Sequence, residues 1–271
     1  MTMPTKSLNF VFFGTPDVSS KTLEILKSHG YVPSLIVTAP DRPVGRHFTL
    51  TPSPTKVWAL ENSIPFTHDI PTTGDYDLFI VVAYGKILSQ KVIDLPKLGT
   101  LNIHYSLLPR WRGASPVEAA ILHGDLETGV SIQKMVFKLD AGPVIAEERT
   151  LIGPNETHVE LRNRLIPLGA ELLVTGVFSP LLAGKGLEVK FDQNESQMTH
   201  CGKTKKEDGL INPTTDNPQI LWNKYRAYYG WPGLYFFDSN NKRVKITKAR
   251  FENNKFIIER VIREGKPESN Y

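Results

Sequence analysis

An amide and an imidazole stand two residues apart, at Asn102 and His104, in an otherwise apolar segment, and a carboxylate follows at Asp140, 36 residues after His104. Side chains two apart on a strand point to the same side, so a strand over residues 98–104 would bring the first two together. An amide donates hydrogen bonds without titrating, an imidazole exchanges protons near neutral pH, and a carboxylate can orient an imidazole. These residue types indicate a reactive site rather than side chains that only fill the protein core.

The segment that follows His104 reads as a loop. Residues 106–109 are Ser-Leu-Leu-Pro, and Arg110 and Arg112 come next. The proline ends the strand because it has no backbone N–H to donate to a neighbouring strand. An open, mostly parallel sheet places its ligand sites in the loops at strand ends, so we expect the reactive site here.

Short β-branched and aromatic runs alternate with helical stretches along the first half of the chain. This alternation is typical of βαβ units. We therefore predict an α/β fold with a Rossmann-like, mostly parallel sheet and helices on both faces. Strands are expected at residues 8–13, 32–38, 78–83 and 98–104, and helices at 17–28, 54–62 and 115–124.

After residue 124 the chain no longer follows the strand–helix alternation of its first half. Residues 129–135 and 143–149 predict a hairpin-like pair of strands with Asp140 in its turn. A capping box from Thr157 to Glu160 predicts a long helix that runs to about residue 183. The last stretch alternates in strand fashion, which predicts a small β unit. We expect a catalytic domain over residues 1–185, a linker over 186–205 and a small basic β domain over 206–271.

The composition is that of an ordinary soluble protein: 271 residues, of which 40% are apolar and 22% charged. The single cysteine, Cys201, and the lack of any Cys/His cluster at zinc-ligand spacing favour a reducing compartment and a metal-free protein. The apolar runs at residues 10–13 and 172–183 are shorter than the ~7–15 residues of a secretory signal core and the ~20 of a membrane span, respectively. We expect a cytoplasmic protein that does not bind membranes.

Basic residues gather toward the C-terminus. Residues 203–271 hold 14 Lys/Arg and 8 Asp/Glu, while the whole chain carries a net charge of +4. A basic unit joined to a slightly acidic main domain fits a polyanionic partner bound through its phosphates. A lysine-rich solvated surface is the alternative interpretation, because most charge runs mean only that.

Two glycine-containing segments look like nucleotide-binding motifs but lack the required spacing. The last three residues of a P-loop motif are matched by Gly202, Lys203 and Thr204. The earlier glycine of that motif is missing, however, and the segment is polar. Gly14 follows the first predicted strand without a G-x-G-x-x-G pattern. A phosphate loop and a dinucleotide cofactor are therefore disfavoured.

Several ordered blocks carry a family resemblance. They are Phe-Gly-Thr-Pro-Asp at 13–17, Pro-Asp-Arg-Pro-Val-Gly-Arg at 40–46, Thr-Pro-Ser-Pro at 51–54, Val-Ala-Tyr-Gly-Lys-Ile-Leu at 82–88, residues 102–113, residues 124–129 and Leu-Asp-Ala-Gly at 139–142. Together they resemble the bacterial methionyl-tRNA formyltransferases, within the folate-dependent N-formyltransferases. The resemblance covers most of residues 7–236.

The resemblance implies transfer of a formyl group from 10-formyltetrahydrofolate to a primary amine. The catalytic residues of the family map onto Asn102, His104 and Asp140. Asn102 would hold the oxyanion, His104 would take the ammonium proton or help to hold the oxyanion, and Asp140 would orient the imidazole and stabilise its charged form. Which group moves which proton stays open.

The resemblance also implies where the folate binds. Its folate-contacting residues map onto Ser106, Leu107, Leu108 and Pro109. The backbone of the pterin pocket maps onto Tyr84, Gly85, Lys86 and Ile87. Tetrahydrofolate is then a co-substrate that carries the formyl group.

The loop at residues 40–53 points to the acceptor. It is long and basic, we expect it to lack secondary structure, and it resembles the loop of the methionyl-tRNA enzymes that enters the end of the acceptor arm. By this resemblance the acceptor is initiator methionyl-tRNA, and Arg42 and Arg46 contact its phosphates or bases. The C-terminal unit resembles a reduced OB-like domain that adds contacts to the tRNA backbone. We expect the protein to act as a monomer.

Two departures from the family pattern keep other functions open. The chain is shorter than usual between residues 66 and 77, and the C-terminal unit is too short for a complete five-stranded barrel. Sugar N-formyltransferases share the catalytic domain, so a nucleotide-linked amino sugar is the alternative acceptor. A hydrolase that releases formate, and a non-catalytic tRNA- or folate-binding protein, are further alternatives.

Overall fold

A computed structural model describes residues 8–45 and 48–271 of the chain. The chain forms two compact units, each built from separate stretches of sequence. The first contains the residues up to Arg110 together with Gly129–Arg149 and Arg164–Met198; the second contains Trp111–Thr128, Thr150–Asn163 and Thr199–Tyr271. The domain boundaries expected at residues 185 and 206 stay a prediction.

The elements alternate between strand and helix through the first half of the chain, as predicted. The strands are β1 (Phe10–Gly14), β2 (Leu35–Val37), β3 (Arg42–Val44), β4 (Thr49–Thr51), β5 (Phe66–Thr67), β6 (Leu78–Val82), β7 (Thr100–His104), β8 (Arg112–Gly113), β9 (Glu127–Lys134), β10 (Val144–Leu151), β11 (His200–Cys201), β12 (Tyr235–Phe237), β13 (Arg243–Glu252), β14 (Lys255–Arg263) and β15 (Glu268–Asn270). The helices are α1 (Asp17–Ser28), α2 (Pro54–Glu61), α3 (Gln90–Ile93), α4 (Pro116–Leu122), α5 (His158–Leu173), α6 (Ser179–Leu182) and α7 (Pro218–Ala227).

A seven-stranded sheet forms the centre of the first unit, in the order β10-β9-β7-β6-β1-β2-β5. Neighbours from β7 to β5 run parallel, and β9 runs antiparallel to β7. Strands β1 and β6 are apolar runs that are buried at every position, as expected for parallel strands covered on both faces. The predicted mostly parallel sheet is confirmed.

The loop at residues 40–53 differs from the expectation that it lacks secondary structure. Strands β3 and β4 pair antiparallel within it, with Arg42 opposite Thr51. The base of this hairpin is fixed by a 2.8 Å hydrogen bond between the hydroxyls of Thr38 and Ser53. Sequence reasoning missed the hairpin because Pro43 and the short length of its strands conceal the alternation that marks a strand.

The helix predicted to start at the capping box is present. The Thr157 N–H donates to Glu160 Oε2 at 2.8 Å, and the Glu160 N–H donates to Thr157 Oγ1 at 3.4 Å. A π-helical turn at Val174–Phe178 joins α5 to α6, so the helical run ends at Leu182. Within the described part of the chain, the run His158–Leu182 is long and apolar enough to cross a membrane, but half of its most apolar stretch is buried inside the protein. Core helices of soluble proteins have the same character.

The second unit contains the C-terminal β structure that the sequence predicts. Its antiparallel sheet has the order β12-β13-β14-β15. Helix α7 packs on this sheet through aromatic side chains: Trp222 stacks on Phe251, and Tyr225 contacts Phe256. The sheet has four strands, whereas a complete OB-fold barrel has about five.

Candidate active site

Strand β7 carries two of the three predicted catalytic side chains. Asn102 and His104 lie two residues apart on it and therefore project from the same face. The strand lies inside the sheet, with Asn102 opposite Val81 of β6 on one side and opposite Gln133 of β9 on the other. The sheet thus holds the amide and the imidazole in a fixed geometry.

The third predicted residue, Asp140, joins them from the connection between β9 and β10. Its Oδ1 lies 3.5 Å from Asn102 Nδ2, and its Oδ2 lies 3.8 Å from His104 Nδ1. The side chains of His104 and Asp140 are 6% and 11% exposed. The second distance exceeds a hydrogen bond but allows a close ion pair when the imidazole is protonated. The structure therefore brings the amide, imidazole and carboxylate to one place.

Two glutamines that sequence reasoning missed hold Asp140. Gln133 Nε2 donates to Asp140 Oδ1 at 2.8 Å, and Gln193 Nε2 donates to the main-chain oxygen of Asp140 at 2.8 Å. Ser131 and Gln133 alternate with the buried Val130 and Ile132 on β9, and this polar face beside β7 could have revealed Gln133. Gln193 lies in a polar segment that reads as a linker, and the sequence carries no signal for it.

The segment expected to contact folate follows β7 directly. The Ser106 hydroxyl donates to the main-chain oxygen of Arg110 at 2.6 Å, and the Leu108–Pro109 peptide bond is cis. Ser131 of β9 ties this segment down, since its hydroxyl donates to the Ser106 oxygen at 2.7 Å and accepts from the Leu108 N–H at 3.0 Å. The predicted residues Ser106, Leu107, Leu108 and Pro109 therefore form an ordered turn next to His104.

The second predicted folate segment follows β6. Tyr84 is 4% exposed and packs edge-on against Phe13, with ring centres 5.4 Å apart. Burial raises the pKa of the Tyr84 phenol. Gly85, Lys86 and Ile87 are exposed, and Gly85 has a φ of +79°, which glycine adopts without strain. A buried ring therefore anchors an otherwise exposed loop at the end of a central strand.

The predicted tRNA-binding residues lie on the loop at residues 40–53. Arg42 is exposed on β3. The preceding residue, Asp41, joins the hairpin to α2, because both of its carboxylate oxygens accept from Lys56 Nζ at 2.8 Å. Arg46 lies outside the described residues.

The described ranges, 8–45 and 48–271, hold no group of three or more His, Cys, Asp or Glu residues placed to bind a metal ion. Asp140, the acidic member of the candidate site, accepts hydrogen bonds from the side-chain amides of Asn102 and Gln133. An amide donor, an imidazole and a carboxylate together suit acid-base chemistry and oxyanion stabilisation.

Comparison with known proteins matches both parts of the chain to one family. Residues 8–177 match the formyl transferase family, and residues 203–266 match the formyl transferase C-terminal domain. A methionyl-tRNA formyltransferase from Methylococcus capsulatus is 39% identical over 235 residues, which is 83% of this chain and 75% of that protein.

Solved structures share the fold at low sequence identity. An N-formyltransferase from Helicobacter canadensis, in complex with folinic acid and dTDP-3-aminofucose, has a TM-score of 0.71 and 18% identity, covering 91% of this chain and 88% of that one. A methionyl-tRNA formyltransferase from Clostridium thermocellum has a TM-score of 0.60 and 18% identity, covering 94% and 98%. Because identity to the Methylococcus enzyme is high over most of both chains, the family predicted from the sequence is confirmed. The chain belongs to the methionyl-tRNA formyltransferase family of formyl transferases.

Proposed function

We propose that this enzyme transfers the formyl group of 10-formyltetrahydrofolate to the amino group of methionyl-initiator tRNA. The observation that carries the proposal is the convergence of Asn102, His104 and Asp140 in a chain of this family. The family match supports folate-dependent formyl transfer in general. The identity of the donor and acceptor, and the roles of the residues, are the parts that we propose.

The three side chains suit each stage of this reaction. The amine nitrogen attacks the formyl carbon, a C–N bond forms, and the formyl oxygen takes a negative charge. Asn102 donates a hydrogen bond to that oxygen, an effect typically worth about 3–4 kcal/mol. The bond from the formyl carbon to N10 of the folate then breaks and the carbonyl re-forms.

Proton movement completes the balance of the reaction. The attacking nitrogen must lose a proton, and the folate nitrogen gains one as it leaves. We assign the acceptance of this proton to His104, and Asp140, whose Oδ2 lies 3.8 Å from His104 Nδ1, would stabilise the imidazolium that results. No metal takes part in this proposal.

We assign the folate site to the two loops beside the catalytic residues. The turn of Ser106, Leu107, Leu108 and Pro109 and the backbone of Tyr84, Gly85, Lys86 and Ile87 would bind the pterin and its linker. The anchoring of the first loop by Ser131, and of the second by the buried Tyr84 ring, supports this assignment, because binding loops on a rigid scaffold lose little entropy.

The acceptor would be bound through basic residues. Arg42 and Arg46 would contact the acceptor end of the tRNA, and the basic domain over residues 206–271 would bind its backbone. We further propose that the catalytic domain spans residues 1–185, that a linker spans 186–205, and that the enzyme is a cytoplasmic monomer that does not bind membranes.

Replacing Arg42 with alanine tests the role of the hairpin. We expect a higher KM for methionyl-tRNA and an unchanged KM for the folate. The slope of log(kcat/KM) against log salt concentration should be shallower by about 1, which corresponds to the loss of one phosphate contact. Arg149→Ala is the matched control, because Arg149 is also exposed and lies on β10 of the central sheet. Identical salt slopes for the Arg42→Ala variant and the parent would contradict a phosphate contact.

The acceptor itself is tested by competition. The enzyme is offered methionyl-tRNA and a nucleotide-linked amino sugar side by side, with 10-formyltetrahydrofolate as donor. We expect formylation of methionyl-tRNA with a kcat/KM at least about 100-fold above that for the sugar, since a site whose polar groups pair with only one substrate can discriminate by about 10,000-fold. Formylation of the sugar alone would replace our proposal with the sugar N-formyltransferase alternative, which the four-stranded C-terminal sheet keeps open.

A further inference from the structure

Gln133 is buried at the centre of the candidate active site. It is 1% exposed, although glutamine side chains are usually found at the surface. Both ends of its amide are bonded: Nε2 donates to Asp140 Oδ1 at 2.8 Å, and Oε1 accepts from the Gly142 N–H at 3.2 Å. One side chain therefore binds the carboxylate of Asp140 and the backbone two residues beyond it.

Gln193 holds the same turn from its backbone. Its Nε2 donates to the main-chain oxygens of Asp140 and Gly142, at 2.8 and 2.7 Å. Asp140 needs such support because its φ of +47° lies in the left-handed region, which is unfavourable for a residue with a side chain. Two amides thus fix the turn that carries the carboxylate.

Gln133 Nε2 lies 2.8 Å from Asp140 Oδ1, a short hydrogen bond to one oxygen of that carboxylate. Asn102 Nδ2 lies 3.5 Å from the same oxygen, and His104 Nδ1 lies 3.8 Å from Oδ2. Gln133 lies directly opposite Asn102 in the register of β7 and β9. It therefore holds Oδ1 and leaves Oδ2 turned toward His104.

We propose that Gln133 is a positioning residue for catalysis: by donating to Asp140 Oδ1, it fixes the carboxylate in the orientation that serves His104. The proposal rests on the proposed function, since it assigns a part in the same reaction. Gln133 acts through Asp140 and does not touch the reacting atoms. A hydrogen bond to an ionised partner is stronger than one between neutral groups, which suits it to holding a single rotamer.

Two substitutions separate the donor from the rest of the side chain. Gln133→Met keeps the length of the side chain and removes both hydrogen bonds. Gln133→Glu keeps an oxygen that can accept from the Gly142 N–H but donates to Asp140 only when the new carboxyl is protonated. Gln197→Met is the matched control, because Gln197 is exposed.

We expect both Gln133 variants to lose kcat by at least about 10-fold, with the KM for the folate and for the acceptor within about 2-fold of the parent. Because adjacent carboxyls share a proton as the pH falls, the activity of the Gln133→Glu variant relative to the parent should rise toward low pH, whereas that of the Gln133→Met variant should not. A residue that only supported the fold would lower the melting temperature without this difference between the pH profiles.

A double-mutant cycle with Asp140→Asn decides whether Gln133 acts through the carboxylate. In single-turnover assays, Gln133→Met should cost less than about 2-fold in the Asp140→Asn background, against at least about 10-fold in the parent. Equal losses in both backgrounds, or a parent-like kcat for Gln133→Met, would overturn the inference. The parent is first assayed with methionyl-tRNA and with the amino sugar, and the cycle uses the acceptor that it formylates, so an error in the proposed acceptor is detected separately.

Discussion

Replacement of Asn102 or His104 by alanine is expected to slow formyl transfer by at least about 100-fold, since removing one oxyanion donor or one general base typically costs that much. Both side chains project from β7 toward Asp140, and the backbone hydrogen bonds of the strand do not depend on them. The fold should therefore survive. The measurements are kcat/KM for formyl transfer and the melting temperature of each variant.

The double variant gives a sharper expectation. If both residues stabilise one transition state, removing the second side chain from a single variant slows the reaction less than removing it from the parent. The effects on rate of residues that act as a unit are not additive. His29→Ala and Asn240→Ala are the controls: His29 follows α1 and Asn240 lies in the β12–β13 turn, and both are exposed. Turnover of the Asn102→Ala or His104→Ala variant near the parent level would remove the site assignment.

Gly142→Ala is the second change with a large expected effect. A Cβ at this position would lie 1.7 Å from the main-chain oxygen of Lys134, and backbone cannot rotate away as a side chain can. The turn must move, at a cost of about 1–3 kcal/mol for an overpacked site. Asp140 lies two residues earlier in the same turn, and a displacement of about 1 Å at a catalytic group can cost about 100-fold in rate. We expect a lower melting temperature and a large loss of kcat together.

Gly186→Ala is the matched control for this change. A Cβ at Gly186 would meet no heavy atom within 4 Å, so the same chemical change should leave both melting temperature and kcat at the parent values. A Gly142→Ala variant with the stability and turnover of the parent would show that the turn adapts. The close approach of Gly142 to the Lys134 main-chain oxygen would then have no effect on function.

The central part of the site was predictable from the sequence because its geometry is local. The two-residue period of a strand puts Asn102 and His104 on one face whatever surrounds them. The approach of Asp140 followed only from the family resemblance, since the folding of the connection between β9 and β10 against β7 depends on long-range pairing. In the structure Asp140 does approach β7: its Oδ1 lies 3.5 Å from Asn102 Nδ2.

The supporting residues were harder to find for the same physical reason. Gln133 faces Asn102 only because β9 pairs with β7 in one register, and nothing in either strand alone specifies that pairing. Gln193 reaches the turn from a polar segment with no periodicity. The hairpin at residues 40–53 was missed because each of its strands spans only three residues, too few to establish a period.

Ser131 bonds the turn of residues 106–109, our proposed folate turn, and Gln133 bonds the carboxylate of Asp140; the two lie two residues apart on one side of β9. One short piece of β9 backbone therefore supports both the proposed folate turn and Asp140. A slip of β9 by a single residue would turn both supports to the opposite side at once. Redesign of this enzyme for other amines can change the hairpin at residues 40–53, but it should leave the sequence and register of β9 unchanged.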